Sequence, residues 1–441
     1  MSAAPGSRAH VSPATATAVS VTVAVAVAML LAGCSLLATP SPARPTRTPA
    51  PTLTPAFGLT WAIAPAIELP ADAFAISSNP PIGPAHPNTA GHPGHFPGQS
   101  IIQDVATNAD ASRLVAVGYV GLDGDWRARA WTSTDGRTWA LAPIDDRTGS
   151  FAVSVAAAPN GTFVAVGRVG REAAAWTSRD GATWEVATVG SLVAGGATRA
   201  PELAERMTVV ISTSHGLLAG GSVGAELQGG HRARFWRSGD GRTWAPVADE
   251  YARFANSEVA DITVGDRGFV AVGRIGGGAR SVGSLAWTSS AGASWTRVDD
   301  PALAAGLAVS IISTPTGFLA VGSDADEREA VAWTSPDGRA WTKAPTETSR
   351  LHSGEKIRMT DVVSTPAGFV AVGNYVGLQY GTGTSWLSTD GLAWTMAPDQ
   401  PTFGQAEPEA VIAWRDRLVI VGSRGAPDNY IPSVWLSPGL P

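Results

Sequence analysis

Short apolar runs that each end in glycine recur through most of the chain. They read LVAVG, FVAVG, LLAGG, FVAVG, FLAVG, FVAVG and LVIVG. Their terminal glycines, spaced 49 to 54 residues apart, are Gly118, Gly167, Gly221, Gly273, Gly322, Gly373 and Gly422. Apolar runs of this length, bounded by turn residues, are typical of buried β-strands. The spacing predicts seven copies of one β unit of about 50 residues.

Paired tryptophans add a second regularity downstream of the first six runs. The members of each pair lie eight residues apart: Trp131–Trp139, Trp176–Trp184, Trp236–Trp244, Trp287–Trp295, Trp333–Trp341 and Trp386–Trp394. Between them stands one motif, as in WTSTDGRTW or WLSTDGLAW. Asp-Gly between β-forming residues is a strong hairpin signal, because a type I′ turn needs positive φ at both central residues. We therefore predict two strands joined by a tight Asp-Gly turn in each unit.

The complete unit reads as four strands, and four-stranded units repeated radially make a β-propeller. A seventh tryptophan, Trp435, has no partner eight residues on, whereas GLTWAIAP around Trp61 matches GRTWALAP at residues 136–143. We therefore predict an all-β, seven-bladed propeller whose last blade is completed by the N-terminal strand. The predicted blades span about 100–142, 150–187, 206–247, 257–298, 306–344, 358–397, and 408–438 closed by 57–65.

The Ser-x-Asp-Gly motif resembles the Asp-box (BNR) repeat of sialidases and sortilin-type receptors. The resemblance implies a structural role for five aspartates, whose carboxylates accept turn N–H groups: Asp135, Asp180, Asp240, Asp337 and Asp390. The spacing departs from the family pattern, because each of these aspartates directly precedes glycine. In the fourth repeat Ala291 replaces the aspartate.

The N-terminal segment has a composition of its own. Residues 18–32 form an apolar stretch of signal-peptide length. Its last two residues begin the string Leu31-Ala32-Gly33-Cys34. This segment resembles a bacterial lipoprotein signal, which implies lipidation of Cys34. The Pro/Thr-rich residues that follow cannot bury enough surface to fold. We expect a signal peptide at 1–33, a lipid-anchored linker at 34–56, and a propeller at 57–441 that lies outside the cytoplasm on the cell membrane. An ordinary secretory signal is the alternative.

Charge and cysteine content restrict the possible functions further. The formal net charge is −6, without the basic patch that a nucleic-acid-binding protein needs. The single cysteine excludes a disulfide framework and a cysteine-based metal site. His86, His92 and His95 lie in one Pro/Gly-rich segment and are weak candidates for metal ligands, with a mobile loop as the alternative. We expect no cofactor.

Function should reside in the loops opposite the Asp-Gly turns, because those loops differ between repeats. The candidate ligand-binding residues there are Tyr119, Trp126, Arg168, Arg206, Arg274, Arg358, Asn374 and Tyr375. Arginine, asparagine and aromatic side chains together suit a carboxylate or a sugar. Solvated rim residues and salt bridges between blades are the alternative.

No set of residues in the sequence forms a recognisable active site. The Arg-Ile-Pro motif of sialidases is absent, and the nearest string is Arg274-Ile275-Gly276. Nor does the sequence identify an arginine triad or a catalytic carboxylate pair. We therefore expect a scaffold that binds a glycan or protein ligand. The alternative is a glycan-processing enzyme of the sialidase-like superfamily, either an exo-sialidase or another glycoside hydrolase.

Overall fold

A computed structural model describes residues 59–69, 99–121, 125–190, 203–225, 229–248, 251–276, 281–344, 355–376, 381–426 and 429–440. All of these residues belong to one compact unit that extends from Pro55 to Pro441. Cys34 and the three histidines at 86, 92 and 95 lie outside the described residues, as does the predicted signal and linker.

The described strands follow one another in four-stranded groups. The chain begins with β1 (Ala62–Ile63) and β2 (Ala66–Ile67). Blades one to three contain β3 (Gln99–Thr107), β4 (Leu114–Gly121), β5 (Arg127–Ser133), β6 (Thr138–Asp145), β7 (Ser150–Ala157), β8 (Phe163–Val169), β9 (Glu172–Ser178), β10 (Glu185–Val186), β11 (Thr188–Val189), β12 (Leu203–Thr213), β13 (Gly216–Ala225), β14 (Gly229–Ser238) and β15 (Thr243–Pro246).

The remaining four blades continue the same pattern. Their strands are β16 (Ser257–Gly265), β17 (Gly268–Ile275), β18 (Gly283–Ser289), β19 (Thr296–Val298), β20 (Gly306–Thr314), β21 (Gly317–Asp324), β22 (Ala330–Ser335), β23 (Thr342–Ala344), β24 (Lys356–Thr365), β25 (Gly368–Val376), β26 (Gly381–Ser388), β27 (Thr395–Met396), β28 (Ala406–Trp414), β29 (Arg417–Ala426) and β30 (Asn429–Leu436). Short helices precede three blades: α1 (Tyr251–Phe254), α2 (Pro301–Ala304) and a 3-10 turn at Pro401–Phe403.

The described strands form seven sheets, which confirms the predicted seven-bladed propeller. The first long strand of each blade is innermost, and neighbouring innermost strands contact one another around the ring, including β28 with β3. Two sheets have a fifth strand that the sequence pattern did not predict. In these, β2 pairs in parallel with β6, and β11 pairs in parallel with β15.

The N-terminal strand closes the ring in the last blade, as predicted. Strand β1 pairs antiparallel with β30, and Ile63 lies opposite Trp435. Trp61 is 4% exposed, and its backbone N–H donates to Gln400 Oε1 at 2.8 Å. On the other side of this blade, Trp414 Nε1 donates to the Ala111 carbonyl of blade one at 3.0 Å. The chain ends are therefore held together by both pairing and packing.

The hydrophobic core lies between the blades. Each of seven buried clusters combines residues from two neighbouring blades, so that one cluster occupies each interface. The first tryptophan of every repeat is at most 1% exposed: Trp131, Trp176, Trp236, Trp287, Trp333, Trp386 and Trp435. Because a single blade cannot bury these surfaces alone, the stability of each blade depends on its neighbours.

The Ser-x-Asp-Gly turns differ from the predicted two-residue hairpin. In the first repeat the strands pair only as far as Thr132 and Ala140, so the loop between them is longer. Only Gly136 has positive φ, at 70°, so the type I′ prediction is wrong. Asp135 Oδ1 instead accepts the backbone N–H groups of Arg137 and Thr138 at 2.7 and 2.8 Å. The carboxylate thus caps the turn, as in an Asx turn.

Candidate functional site

The glycines that end the apolar runs shape the channel mouth opposite the Asp-Gly turns. Each innermost strand has a β-bulge near its beginning, as between Val259 and Asp261. There the carbonyl of the bulged strand approaches the glycine of the next strand closely. A Cβ added to Gly273 would lie 2.1 Å from the Glu258 carbonyl oxygen. All seven glycines face a carbonyl in this way, at 1.8 to 2.1 Å from the added atom. Only glycine permits the bulge.

A group of charged residues occupies the mouth at blades three and four. Arg206 Nη2 donates to Glu258 Oε2 at 2.8 Å and lies 3.3 Å from His231 Nδ1. The side chain of Arg274 makes no hydrogen bond or ion pair with another described residue. Burial lowers the pKa of the Arg274 guanidinium, and nearby Arg358 and Arg206 act in the same direction while Glu258 opposes them. Arginine nevertheless stays charged in proteins. Arg274 is therefore a half-buried, partly desolvated cation beside other cations.

Blades six and seven add a second group at the mouth. Arg358 Nε donates to Asn374 Oδ1 at 3.3 Å, and the Tyr430 hydroxyl donates to Glu407 Oε1 at 2.8 Å. Burial raises the pKa of Glu409 to about 7, although the positive charge of Arg358 lowers it. A carboxyl whose pKa is raised in this way neutralises the arginines less completely than an ordinary glutamate does.

An aromatic cluster lies at blades one and two. Tyr119 contacts Trp126 and Phe151 edge-to-face, with ring centroids 5.4 and 4.9 Å apart. The guanidinium carbon of Arg168 stands 4.4 Å from the centroid of the Phe151 ring, which is cation–π geometry. Burial, followed by the charge of Glu409, raises the pKa of Tyr119 to about 12. Electrostatic interaction with Glu409 thus links this cluster to the charged part of the mouth.

The structure brings most of the sequence-predicted candidates to this mouth, but in different roles. Asn374 is 1% exposed and positions Arg358. Tyr375 packs against the hydrophobic cluster between blades five and six. Trp126 is half-buried, and its carbonyl accepts the Gly149 N–H at 2.8 Å, which fixes the loop against blade two.

Residues that the sequence reasoning did not single out also line the mouth, namely Phe151, His231, Glu407 and Tyr430. Phe151 and Glu407 occupy the position just before the bulge in their innermost strands. Arg206 and Arg358 occupy the same position in theirs. Alignment of the strands on this position is the signal that would have identified Phe151 and Glu407.

Three half-buried carboxylates line the channel below the mouth, at the bulges of blades one, four and six. Asp104 Oδ2 accepts Ser154 Oγ–H and the Val155 N–H of the next blade, each at 2.8 Å. Asp261 accepts the Ile311 N–H and Asp361 accepts the Val411 N–H in the same manner. Desolvation raises the pKa of Asp104 and Asp261 to about 7 and that of Asp361 to about 6. These carboxylates connect neighbouring blades.

In the part of the chain that the structure describes, no group of three or more His, Cys, Asp or Glu side chains has the arrangement of a metal site. No helix among the described residues is long and apolar enough to cross a bilayer.

Comparison with known proteins gives a likeness of fold alone. No protein-family model matches the sequence, and no curated protein matches it. Among solved structures, Trypanosoma rangeli sialidase is 12% identical over 76% of this chain and 54% of the sialidase, with a TM-score of 0.42. This chain thus spans about half the length of that sialidase.

Two further solved structures represent other activities. Chaetomium thermophilum Sqt1, bound to the N-terminus of ribosomal protein L10, is 11% identical over 76% of this chain and 87% of its own, with a TM-score of 0.44. A gluconolactonase from Xanthomonas campestris is 14% identical over 78% of this chain and 87% of its own, with a TM-score of 0.39. At these identities the comparisons carry no argument about activity, and what this chain shares with the three proteins is the β-propeller fold.

Proposed function

We propose that this protein is a lipid-anchored binding protein whose channel mouth holds a carboxylate-bearing glycan. The proposal rests on the surroundings of the Arg274 side chain. Its side chain is half-buried, stands near Arg206 and Arg358, and makes no ion pair with a described residue. A partly desolvated cation without an ion-pair partner is costly, so an anion that pairs with it gains affinity.

The neighbours of Arg274 leave positive charge available for a ligand. Glu258 pairs with Arg206, but the hydrogen-bond partner of Arg358 is a neutral amide. A planar carboxylate can accept two parallel N–H bonds from one guanidinium, which favours a carboxylate over a neutral group. Trp126 and Tyr119 supply amphipathic aromatic surfaces of the kind that pack against sugar rings. These two features support a carboxylated sugar as the ligand.

Binding of carboxylated and neutral glycans to the full chain on a glycan array tests the proposal. We expect selective binding of carboxylated sugars, reduced at least about tenfold by Arg274→Gln, because the guanidinium contributes a charge-assisted contact. Arg339→Gln is the matched control, since Arg339 is exposed in the fifth Ser-x-Asp-Gly turn. Equal binding of the neutral analogues, or equal loss in the two variants, would refute the proposal.

The proposed location depends on Cys34, which is the only cysteine in the sequence. If the lipoprotein signal functions as its residues indicate, Cys34→Ser removes the one thiol that can be acylated. Radiolabelled fatty acid should then enter the original protein in its bacterial host and not the variant. Equal incorporation into both would contradict lipid anchoring.

Glycoside hydrolysis is the second candidate function. The specific observation in its favour is that Tyr119 and Glu409 interact electrostatically beside the arginines, which places a hydroxyl and a carboxyl of raised pKa at one mouth. If the site is catalytic, full-length protein should release sugar from a carboxylated glycoside, and Glu409→Gln should abolish release while retaining binding. If the unsubstituted protein bound the glycoside without hydrolysing it, only the non-catalytic binding function would stand.

A further inference from the structure

The fourth Ser-x-Asp-Gly turn lacks the carboxylate that caps the others. In five turns the aspartate accepts two backbone N–H groups and a serine hydroxyl, as Asp180 does from Ala182, Thr183 and Ser178 at 2.8 to 3.0 Å. Ala291 occupies this position in the fourth turn. The equivalent amides of Ala293 and Ser294 have no acceptor among the described residues. The turn thus retains the three donors, and its Gly292 N–H donates to Ser289 Oγ at 2.9 Å, as the glycine N–H does in the carboxylate-capped turns.

The tryptophan beneath this turn is also unsatisfied. In the five complete turns, the indole N–H of the second tryptophan donates to the glycine carbonyl, as Trp184 donates to Gly181 at 2.9 Å. Trp295 is 1% exposed, yet its Nε1 has no hydrogen-bond partner. Its ring stacks on Phe235 at a centroid distance of 4.1 Å. A buried indole N–H without an acceptor is uncommon, so the fourth turn lacks one hydrogen bond of the other five in addition to the carboxylate.

A groove of about 400 Å³ opens beside the vacant position, between blades three and four. Ala291 lines the groove together with the apolar side chains of Leu217, Leu218 and Phe269. His215 and Arg237 contribute polar and positive groups, and Asp266 contributes one negative charge. This groove lies on the Asp-Gly turn face, opposite the channel mouth described above.

We propose that the fourth turn and this groove bind a hydrophobic carboxylic acid. The carboxylate of the ligand occupies the place of the missing aspartate and accepts the Ala293 and Ser294 N–H groups and the Ser289 hydroxyl. Its apolar body lies in the groove against Leu218 and Phe269. The precedent is within the chain itself, because the same three donors hold an intramolecular carboxylate in five other turns.

The test measures binding of 3-phenylpropionate to the full-length protein by calorimetry, with 3-phenylpropionamide as the neutral probe. We expect saturable binding of the acid and none of the amide. Ala291→Asp supplies an intramolecular carboxylate, so it should weaken acid binding at least about tenfold and raise the melting temperature. Ala182→Asp is the matched control, since it adds the same charge to an exposed position of a complete turn and should leave affinity within about twofold.

A second measurement localises the ligand. The indole N–H signal of Trp295 in a nitrogen-15 spectrum, assigned through Trp295→Phe, should shift as the acid saturates the site. Binding that leaves this signal unchanged would place the acid elsewhere and overturn the proposal. The proposal would also be overturned if Ala291→Asp and Ala182→Asp weakened binding of the acid equally. Absence of saturable binding to the unsubstituted protein would overturn it as well.

Discussion

Single glycines determine how closely the two inner strands of each blade approach. The seven positions recur because each accommodates a bulge that the innermost strand needs near the channel mouth. The same bulge positions the side chains of Arg206 and Arg358 at the mouth. The repeated Arg-Met-Thr tripeptides show how this works: the methionines are buried, and Thr208 donates to the Val259 carbonyl of the next blade at 2.7 Å. Backbone sterics therefore control the placement of the site.

We predict that Gly273→Ala destabilises the protein by roughly 1–3 kcal/mol, because the new Cβ would overlap the Glu258 carbonyl. The midpoint of urea unfolding measures this change. Gly239→Ala is the control, because no atom outside the immediate chain neighbours lies within 4 Å of a Cβ built there. A Gly273→Ala protein as stable as Gly239→Ala would contradict the steric account.

At the level of elements, the turn aspartates stabilise individual hairpins. Asp135 is exposed, and hydrogen bonds from the Thr138 and Arg137 amides lower the pKa of its carboxyl. We predict that Asp135→Ala costs about 0.5–2 kcal/mol, as for other lost side-chain caps on backbone N–H groups. The shift in the unfolding midpoint should exceed that of Asp266→Ala, whose side chain is also exposed on this face. Complete unfolding, or loss of glycan binding at unchanged stability, would contradict a purely local role.

The channel carboxylates connect elements of different blades and give stability a pH dependence. In the folded state the pKa of Asp104 is raised to about 7, so between about pH 4 and pH 7 the folded protein holds a proton that the unfolded chain releases. Stability contributed by this group is therefore present at low pH and lost as pH rises through that window. The lowered pKa of turn aspartates such as Asp180 acts at more acidic pH and in the opposite sense.

We predict that Asp104→Asn, which removes the titrating group, flattens the fall in unfolding free energy between about pH 5 and about pH 7.5. Urea unfolding at several pH values measures the slope. Asp266→Asn is the control, because Asp266 is exposed at the groove on the opposite face. In this variant the unfolding free energy should fall with pH as steeply as in the unsubstituted protein. An unchanged slope in Asp104→Asn would show that other groups carry the pH dependence.

At the level of the whole molecule, closure makes stability a property of the ring. The N-terminal segment contacts both blades at the junction, through β1 in the last blade and β2 in the first. Trp61 belongs to the cluster between blades six and seven. Removal of this segment would expose apolar surface and strand edges at once, so the loss should be cooperative.

We predict that deletion of residues 57–65 from the full chain lowers the melting temperature strongly, whereas deletion of residues 35–50 in the Pro/Thr-rich segment leaves it unchanged. Thermal melting followed by tryptophan fluorescence and by circular dichroism measures both. If the two deletions melted alike, β1 would contribute little to closure.

The sequence by itself determined the blade number, the four-stranded unit and the closing strand, because these depend on local periodicity and on the match between Trp61 and its counterparts. It also placed Arg206 and Arg358 at the start of innermost strands. The pattern could not reveal that Asn374 is buried behind Arg358, or that Asp104 reaches the amide of the next blade, since these contacts join residues far apart in the chain. The turn prediction failed for a related reason: the Asp135 carboxylate competes for the turn amides and stabilises a longer loop than a two-residue hairpin. Only the tertiary structure brought Arg358 near both Arg274 and Glu409, and Glu409 near Tyr119, because charge proximity of this kind arises only when the seven blades surround a common channel.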